Sequence, residues 1–519
     1  MLTFKVMERR LEGINFWLSR RDRQPGTECR MAASVYVAPE QLPEFDELYS
    51  ISDLHMGGRT GFQIFNSGDA LAAFIEHVRT LPAASVALVI NGDLVDFLAE
   101  PDAVAFDPAG AVRKLDRIVG DAAFAPGWTA LTRFVRTKGR HLAITLGNHD
   151  LELALPWVRD HLTELLTGAD EPARARLTLA FDGTGFLCRI GNARVLCVHG
   201  NEVDTWNIAD HETIRRYGRD IQQGRPVETW VPNAGTQLVI DVMNSIKQKF
   251  PFVDLLKPEL EGVIPTLVAI APEQRSRIFA ALPAAFHLGL DKVRRSVGLL
   301  GADEPDEGGP ERLAPLRTVP PTPRISREQL LDAVELQLAQ GVEPISLVPL
   351  DQRGQYLGIG GAITSFVFGS DVRESLRKGL DGLQKDRSFD FKQTDETFQQ
   401  FDKQVGADVD FLLTGHTHLE RALKRNESSG WYFNSGTWVR LIRLEADVLA
   451  SADKFSQVYD VLAAGSMAAL DAYPGLILKR RTVVAIRSTP AGTKGELMHW
   501  DEAAGLVAMP NANFTKPAG

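Results

Sequence analysis

Short apolar runs along this chain end again and again in clusters of Asp, His, Asn and Gly. Leu48-Tyr49-Ser50-Ile51 runs into Ser52-Asp53-Leu54-His55, and Val86 to Ile90 into Asn91-Gly92-Asp93. Leu142 to Leu146 runs into Gly147-Asn148-His149-Asp150, and Val195 to Val198 into His199-Gly200. Phe411 to Leu413 runs into Thr414-Gly415-His416-Thr417-His418. Short runs that are apolar throughout and bounded by Gly and Asp predict strands buried on both faces. Between the early runs, Leu71, Phe74, Ile75 and Val78 recur at helical spacing and predict a helix over 69–79. Leu131, Phe134 and Val135 predict another over 128–137. Strand, helix and strand, with polar residues at each strand's C-terminal end, predict an α/β sheet. Ligands bind in the crevice beyond such strand ends.

The rhythm breaks between about 205 and 404. Helical patterns there cover 241–250, 274–282 and 327–340, and 301–324 is rich in Pro and Gly. This reads as an insertion between two core strands. The chain then divides into an N-terminal extension (1–45), a first core part (46–204), the helical insertion (205–404), a second core part (405–445) and a C-terminal segment completing the core (446–519). Trp431 to Asn434 and Val439 to Leu444 predict strands, and the apolar run Thr482 to Ile486 is expected to pair with them.

Composition narrows the class. Lys and Arg number 57 against 67 Asp and Glu, a net charge of −10, which disfavours a general nucleic-acid binder. Three cysteines exclude a disulfide scaffold. Cys188 and Cys197 flank a hairpin turn expected at Gly191-Asn192 and read as a reduced, buried pair. Met1 to Arg21 is broken by Lys5, Glu8, Arg9, Arg10 and Glu12, so no signal peptide is expected. No stretch is long and apolar enough to span a bilayer, and a cytoplasmic location is the expectation.

The polar clusters together supply Asp53, His55, Asp93, Asn148, His149, His199, His416 and His418. Carboxylate oxygens mixed with imidazoles suit Mn, Fe or Zn better than Ca or a thiolate site. Two such ions a few ångströms apart can clamp a phosphate, activate a water and meet the charge that develops.

In order and in context, these motifs resemble the calcineurin-like metallophosphoesterase family. Asp53-Leu54-His55 matches its Asp-x-His, and Gly92-Asp93-Leu94-Val95-Asp96 its Gly-Asp-x-x-Asp. Gly147-Asn148-His149-Asp150, His199-Gly200 and Gly415-His416-Thr417-His418 complete the set. The resemblance implies a four-layer α/β/β/α sandwich with a large, mainly helical insertion, and an enzyme with two divalent ions, Mn first, Fe or Zn next. It implies that Asp53, His55 and His418 hold one ion and Asn148, His199 and His416 the other, with Asp93 shared. His149 would face the phosphate as acid or stabiliser, oriented by Asp150, and Asp96 would lie behind Asp93.

The core motifs imply hydrolysis of a phosphoester or phosphoanhydride, and leave the substrate to the insertion. Ser52 to His55, Asn91 to Asp96 and His199 to Asp204 are similar to the branch holding UDP-2,3-diacylglucosamine pyrophosphatases, although Asn201 stands where that branch has Asp. A phosphodiesterase or pyrophosphatase acting on a nucleotide or lipid-linked substrate is therefore expected. The runs 262–270 and 278–290 are apolar enough to line a lipid pocket or touch a membrane surface, and the oligomeric state is left open. Two other classes remain: a metal-dependent nuclease, disfavoured by charge, and an interaction protein with a structural metal site, disfavoured by the intact ligand set.

Overall fold

Two β-sheets stack face to face in the computed structural model, which describes residues 42–204, 207–256, 266, 372–380 and 389–518. The first sheet is built on β2 (Glu47–Ile51), β3 (Val86–Asn91), β4 (Arg140–Thr145) and β5 (Leu177–Ala180), all parallel. β13 (Thr482–Thr489), β14 (Gly492–Asp501) and β15 (Gly505–Pro517) extend it antiparallel from β2, giving the order β15-β14-β13-β2-β3-β4-β5. The second sheet contains β1 (Glu44–Phe45), β6 (Phe186–Ile190), β7 (Ala193–Cys197), β8 (Phe411–Thr414), β9 (Arg421–Lys424) and β10 (Trp431–Asn434), in the order β1-β6-β7-β8-β10-β9. β11 (Leu441–Ile442) and β12 (Ile477–Leu478) form a small separate ladder.

The two-residue period of the strands decides the layers. Leu48, Ala87, Val89 and Ala143 of the first sheet meet Phe186, Val195, Phe411 and Phe433 of the second in one buried cluster between the sheets. Their neighbours Tyr49, Leu88, Ile90 and Ile144 point the other way, into a core shared with α1 (Gly68–Arg79) and α3 (Ala125–Arg136). On the far side, Leu412, Leu423 and Tyr432 pack with Phe398 and Phe401 of a helix over Glu396–Gln404. Helix, sheet, sheet and helix are the four layers the motif resemblance implied. Strands buried on both faces explain why their sequences are apolar without alternation.

The strands expected before each motif are present, and the two expected helices span Gly68–Arg79 and Ala125–Arg136. The hairpin at Gly191-Asn192 is formed, with Ile190 opposite Ala193, and Cys188 and Cys197 are free and buried. One pairing differs. Thr482 to Ile486 does not join β10. It pairs with β2 across Val484–Ser50 and Ile486–Leu48, because its apolar residues complete the sandwich interior beside Leu48. Val439 to Leu444 is strand only at Leu441–Ile442. Within 241–250, Val239–Met243 is a π-helical turn and Asn244–Lys247 an α-helical one, rather than one continuous helix. The helices expected over 274–282 and 327–340 and the Pro/Gly-rich loop over 301–324 lie outside the described residues.

Candidate metal centre

Each polar cluster follows a strand at its C-terminal end: Asp53 and His55 after β2, Asp93 after β3, Asn148 to Asp150 after β4, His199 after β7, and His416 and His418 after β8. The parallel strands of both sheets thus converge on one edge of the sandwich.

The backbone there is strained. Asp53, His55, Asp93, His416 and His418 all have positive φ, from 45° to 70°. L-residues other than Gly rarely adopt this region, at a cost of about 1 kcal/mol or more each. Sharp left-handed steps are what turn Asp-x-His and His-x-His side chains inward together. Close approach also shapes the motifs: a Cβ on Gly147 would lie 2.1 Å from Asp93 Oδ1 and 2.5 Å from Asp93 N, so only glycine lets the two loops touch.

Three groups of side chains bring ligand atoms within 4.8 Å of one another. They are Asp53, His55 and His418; His55, Asp93 and His149; and Asp53, Asp93 and His199. Asp93 Oδ2 lies 3.5 Å from His55 Nε2 and 3.2 Å from His199 Nε2. His418 Nε2 is 3.4 Å from Asp53 Oδ1 and 3.0 Å from His55 Nε2. Asp53 and Asp93 are fully or almost fully buried. Burial opposes their ionisation, but neighbouring imidazoles outweigh it: His418 and His199 bring Asp53 down to about 2, and His199, His149 and His55 hold Asp93 well below the usual range. The same balance raises His199 to about 10, where burial pulls downward and the Asp93 charge overrides it.

Buried carboxylates held ionised in this way favour positive charge beside them, which suits a site for cations. Asn148 Oδ1 is buried and has no hydrogen-bond partner in the protein. An orphaned acceptor beside buried carboxylates fits divalent ions.

Backbone and polar contacts fix the rest. His416 N donates to both oxygens of Asp53, at 3.1 and 3.0 Å, and its ring faces that of His199 with centroids 5.3 Å apart. His149 N donates to Asp93 Oδ1 at 2.9 Å. The His149 side chain keeps 20% exposure, more than any other imidazole named here.

The carboxylate beside His149 is Asp96 rather than Asp150. Asp150 accepts from Leu94 N at 2.8 Å and Gly147 N at 2.7 Å, stapling the Asp93 loop to the Asn148 loop. Asp96 takes the position beside His149, with Oδ1 3.2 Å from Nδ1, while its Oδ2 lies 3.4 Å from His55 Nδ1. The reason is direction: both carboxylates cap backbone, but Asp150 faces only Leu94 N and Gly147 N, whereas Asp96, which accepts from Leu98 N and Ala99 N, also lies beside the two rings. Burial disfavours charge on His149, but Asp96 and then Asp93 raise it to about 9. Asp150, buried beside Asp93, is raised to about 8.

Two supporting residues escaped the sequence reading. Asn91 donates to Val198 O and Leu413 O, accepts from Thr145 Oγ1, and offers its own carbonyl to His199 Nδ1 at 2.8 Å, so it ties both sheets at the site. Asn434, expected only as the end of a strand, donates to Gly415 O at 2.6 Å and to Thr417 Oγ1, holding the His416–His418 loop. Only their position at strand ends hinted at this.

The family model for calcineurin-like phosphoesterases matches residues 48–252. The chain is similar to the calcineurin-like phosphoesterase family over that part of its length. It is a metal-dependent phosphoester hydrolase, and the family works with a dinuclear divalent metal centre. The match begins in β2 and takes in four of the five motif clusters; His416 and His418 lie beyond it. No curated protein matches the chain. Among the described residues no helix is long and apolar enough to cross a membrane.

Proposed function

We propose that this phosphoesterase cleaves phosphodiester or phosphoanhydride bonds of a nucleotide or lipid-linked substrate, using two divalent ions, Mn²⁺ foremost. In this reading Asp53, His55 and His418 hold one ion, and Asn148, His199 and His416 hold the other. Asp93 belongs to both sets. One observation carries the reading: a single Asp93 oxygen faces His55 of one set and His199 of the other, at 3.5 and 3.2 Å. Ions bound there would supply Lewis acidity toward the phosphoryl oxygens and lower the pKa of a water.

The chain's own residues do the rest. Asp53 and Asp93 stay ionised in a buried pit and so favour a doubly cationic occupant. His149, partly exposed above them, holds a proton on the leaving-group side and passes it to the departing oxygen. Asp96 fixes that ring, and sharing Asp93 with cations weakens its pull on His149, bringing the proton within reach of transfer. The diphosphate and lipid-linked part of the reading is supported by the similarity of Asn91 to Asp96 and His199 to Asp204 to the pyrophosphatase branch, and by the apolar runs 262–270 and 278–290.

The test is a pair of rates. Metal-stripped protein refilled with Mn²⁺ is assayed on bis(p-nitrophenyl) phosphate and on p-nitrophenyl phosphate, with Asp93→Asn as control. Diester cleavage that disappears in Asp93→Asn supports the proposal. Cleavage of the monoester alone would overturn the diesterase reading in favour of a phosphatase.

A further inference from the structure

His416 is held from behind by a residue outside the ligand set. Its Nε2 lies 2.8 Å from Asp204 Oδ2. A carboxylate only accepts hydrogen bonds, so this contact places the ring proton on Nε2 and leaves Nδ1 as the nitrogen with a free lone pair. The other imidazoles follow the same arrangement with the nitrogens exchanged. His199 gives Nδ1 to Asn91 O and turns Nε2 toward Asp93, and His55 sets Nδ1 against Asp96 and Nε2 toward Asp93.

Asp204 is itself braced. Its Oδ2 also accepts from Asn207 Nδ2 at 2.7 Å, its backbone N donates to Asn201 O, and Asn207 N donates to Asp204 O. Asn201 Nδ2 closes the loop onto Asn207 O at 3.1 Å. The same segment clamps the other histidine: Glu202 accepts from His199 N at 3.2 Å and from Gly200 N at 2.6 Å. Gly200, at φ 129°, allows this loop to lie against the other, since a Cβ there would be 2.9 Å from His416 Cβ.

We infer that Asp204 is a positioning residue for one metal site, fixing His416 as an Nδ1 ligand, and that Glu202 and Asp204 form a two-carboxylate brace serving His199 and His416 together. The inference rests on the two-ion reading above. It assigns work to the stretch where this chain reads His-Gly-Asn-Glu-Val-Asp: the acidic group three residues past Asn201 supports a ligand from behind. A hydrogen-bonded carboxylate of this kind fixes ring orientation and raises ligand basicity, and its loss weakens metal binding by about 10- to 100-fold.

The experiment is a Co²⁺ titration of metal-stripped full-length protein, followed by visible absorption, for the parent and for Asp204→Ala. The expected result is two equivalents bound by the parent. In Asp204→Ala the first equivalent binds as before and the second is weakened by about 10- to 100-fold, with the melting temperature of the stripped protein unchanged. Asp204→Asn, which keeps an acceptor oxygen without the charge, should lie between the two, and it carries the test if Asp204→Ala does not fold. Two equivalents bound with parental affinity in these variants would overturn the inference. A parent that binds no second Co²⁺ would instead remove the two-ion reading on which it stands.

Discussion

The Asp96 carboxylate stands 3.2 Å from Nδ1 of His149 and shares its other oxygen with His55. It is the largest upward influence on a ring that burial would otherwise push down. Asp96→Asn should lower the His149 pKa. The protonated form then disappears at lower pH, so the alkaline limb of the kcat profile moves toward acid and kcat falls by about 100-fold, the lower end of what a positioned acid contributes. An unshifted limb in an active Asp96→Asn protein would show that His149 is not the titrating acid.

Asp150 should behave otherwise, because it braces backbone rather than His149. Asp150→Ala leaves Leu94 N and Gly147 N without their acceptor, a loss of about 1–3 kcal/mol per buried group. The melting temperature should fall and metal retention weaken, with the alkaline limb in place. A shifted limb with parental stability would return the orienting role to Asp150.

Gly147→Ala forces a methyl group into Asp93. Because both loops are buried and stapled, relief must come from moving Asp93 itself. We expect loss of at least one bound metal, measured as the metal-to-protein ratio after gel filtration, and destabilisation of about 1–3 kcal/mol. A variant with a full metal complement would mean the loops can part without cost.

Metal removal should be visible in stability alone. Ions that bind only the folded pit stabilise it by about 2.7 kcal/mol at a hundredfold excess over Kd. Chelation should therefore lower the melting temperature, and Mn²⁺ should restore it in the parent much more than in Asp93→Asn. Equal melting curves with and without chelator would argue against cations in this pit.

Far from the site, His141 offers a pH test of the fold. It donates to or accepts from Thr178 Oγ1 at 2.8 Å, and burial, then the Arg176 charge, lowers its pKa from 6.5 to about 4. Between those values the unfolded chain binds a proton that the native protein does not. Stability is thus present above pH 6.5 and lost as pH falls toward 4, by up to about 3 kcal/mol. His141→Gln should flatten this dependence in urea melts at pH 7 and pH 4.5. The same slope in both proteins would assign the acid sensitivity elsewhere.

The site was legible in sequence because its chemistry sits where strands end. A parallel strand such as Val86 to Ile90 is apolar throughout, so Asn91-Gly92-Asp93 stands out against it. The C-terminal strands were harder to read: Gly505–Pro517 alternates weakly and contains Pro510, and Gly492–Asp501 mixes Lys, Glu and His with its apolar residues. The partner of Thr482 to Ile486 depended on which sheet interior lacked a side, which no local pattern records. Orientation within the site was likewise hidden. Asp96 and Asp150 are both second-rank acids near a metal motif, and only the turn of the backbone decides which one meets His149. The positive φ values of Asp53, His55 and Asp93 have no sequence signature, since glycine is absent from those positions.

His55 and His418 meet across 363 residues of chain, and β2 acquires its neighbour β13 from a still more distant segment. During synthesis the first strand leaves the ribosome with one edge open and one imidazole unaccompanied, long before its partners exist. Closing contacts of such span costs loop entropy before it returns any packing. The centre is therefore finished last. A chain truncated before β8 would carry the Asp-x-His, Gly-Asp, Gly-Asn-His and His-Gly motifs without His416 and His418. Completion of the cluster of ligand atoms in this way depends on the final strands.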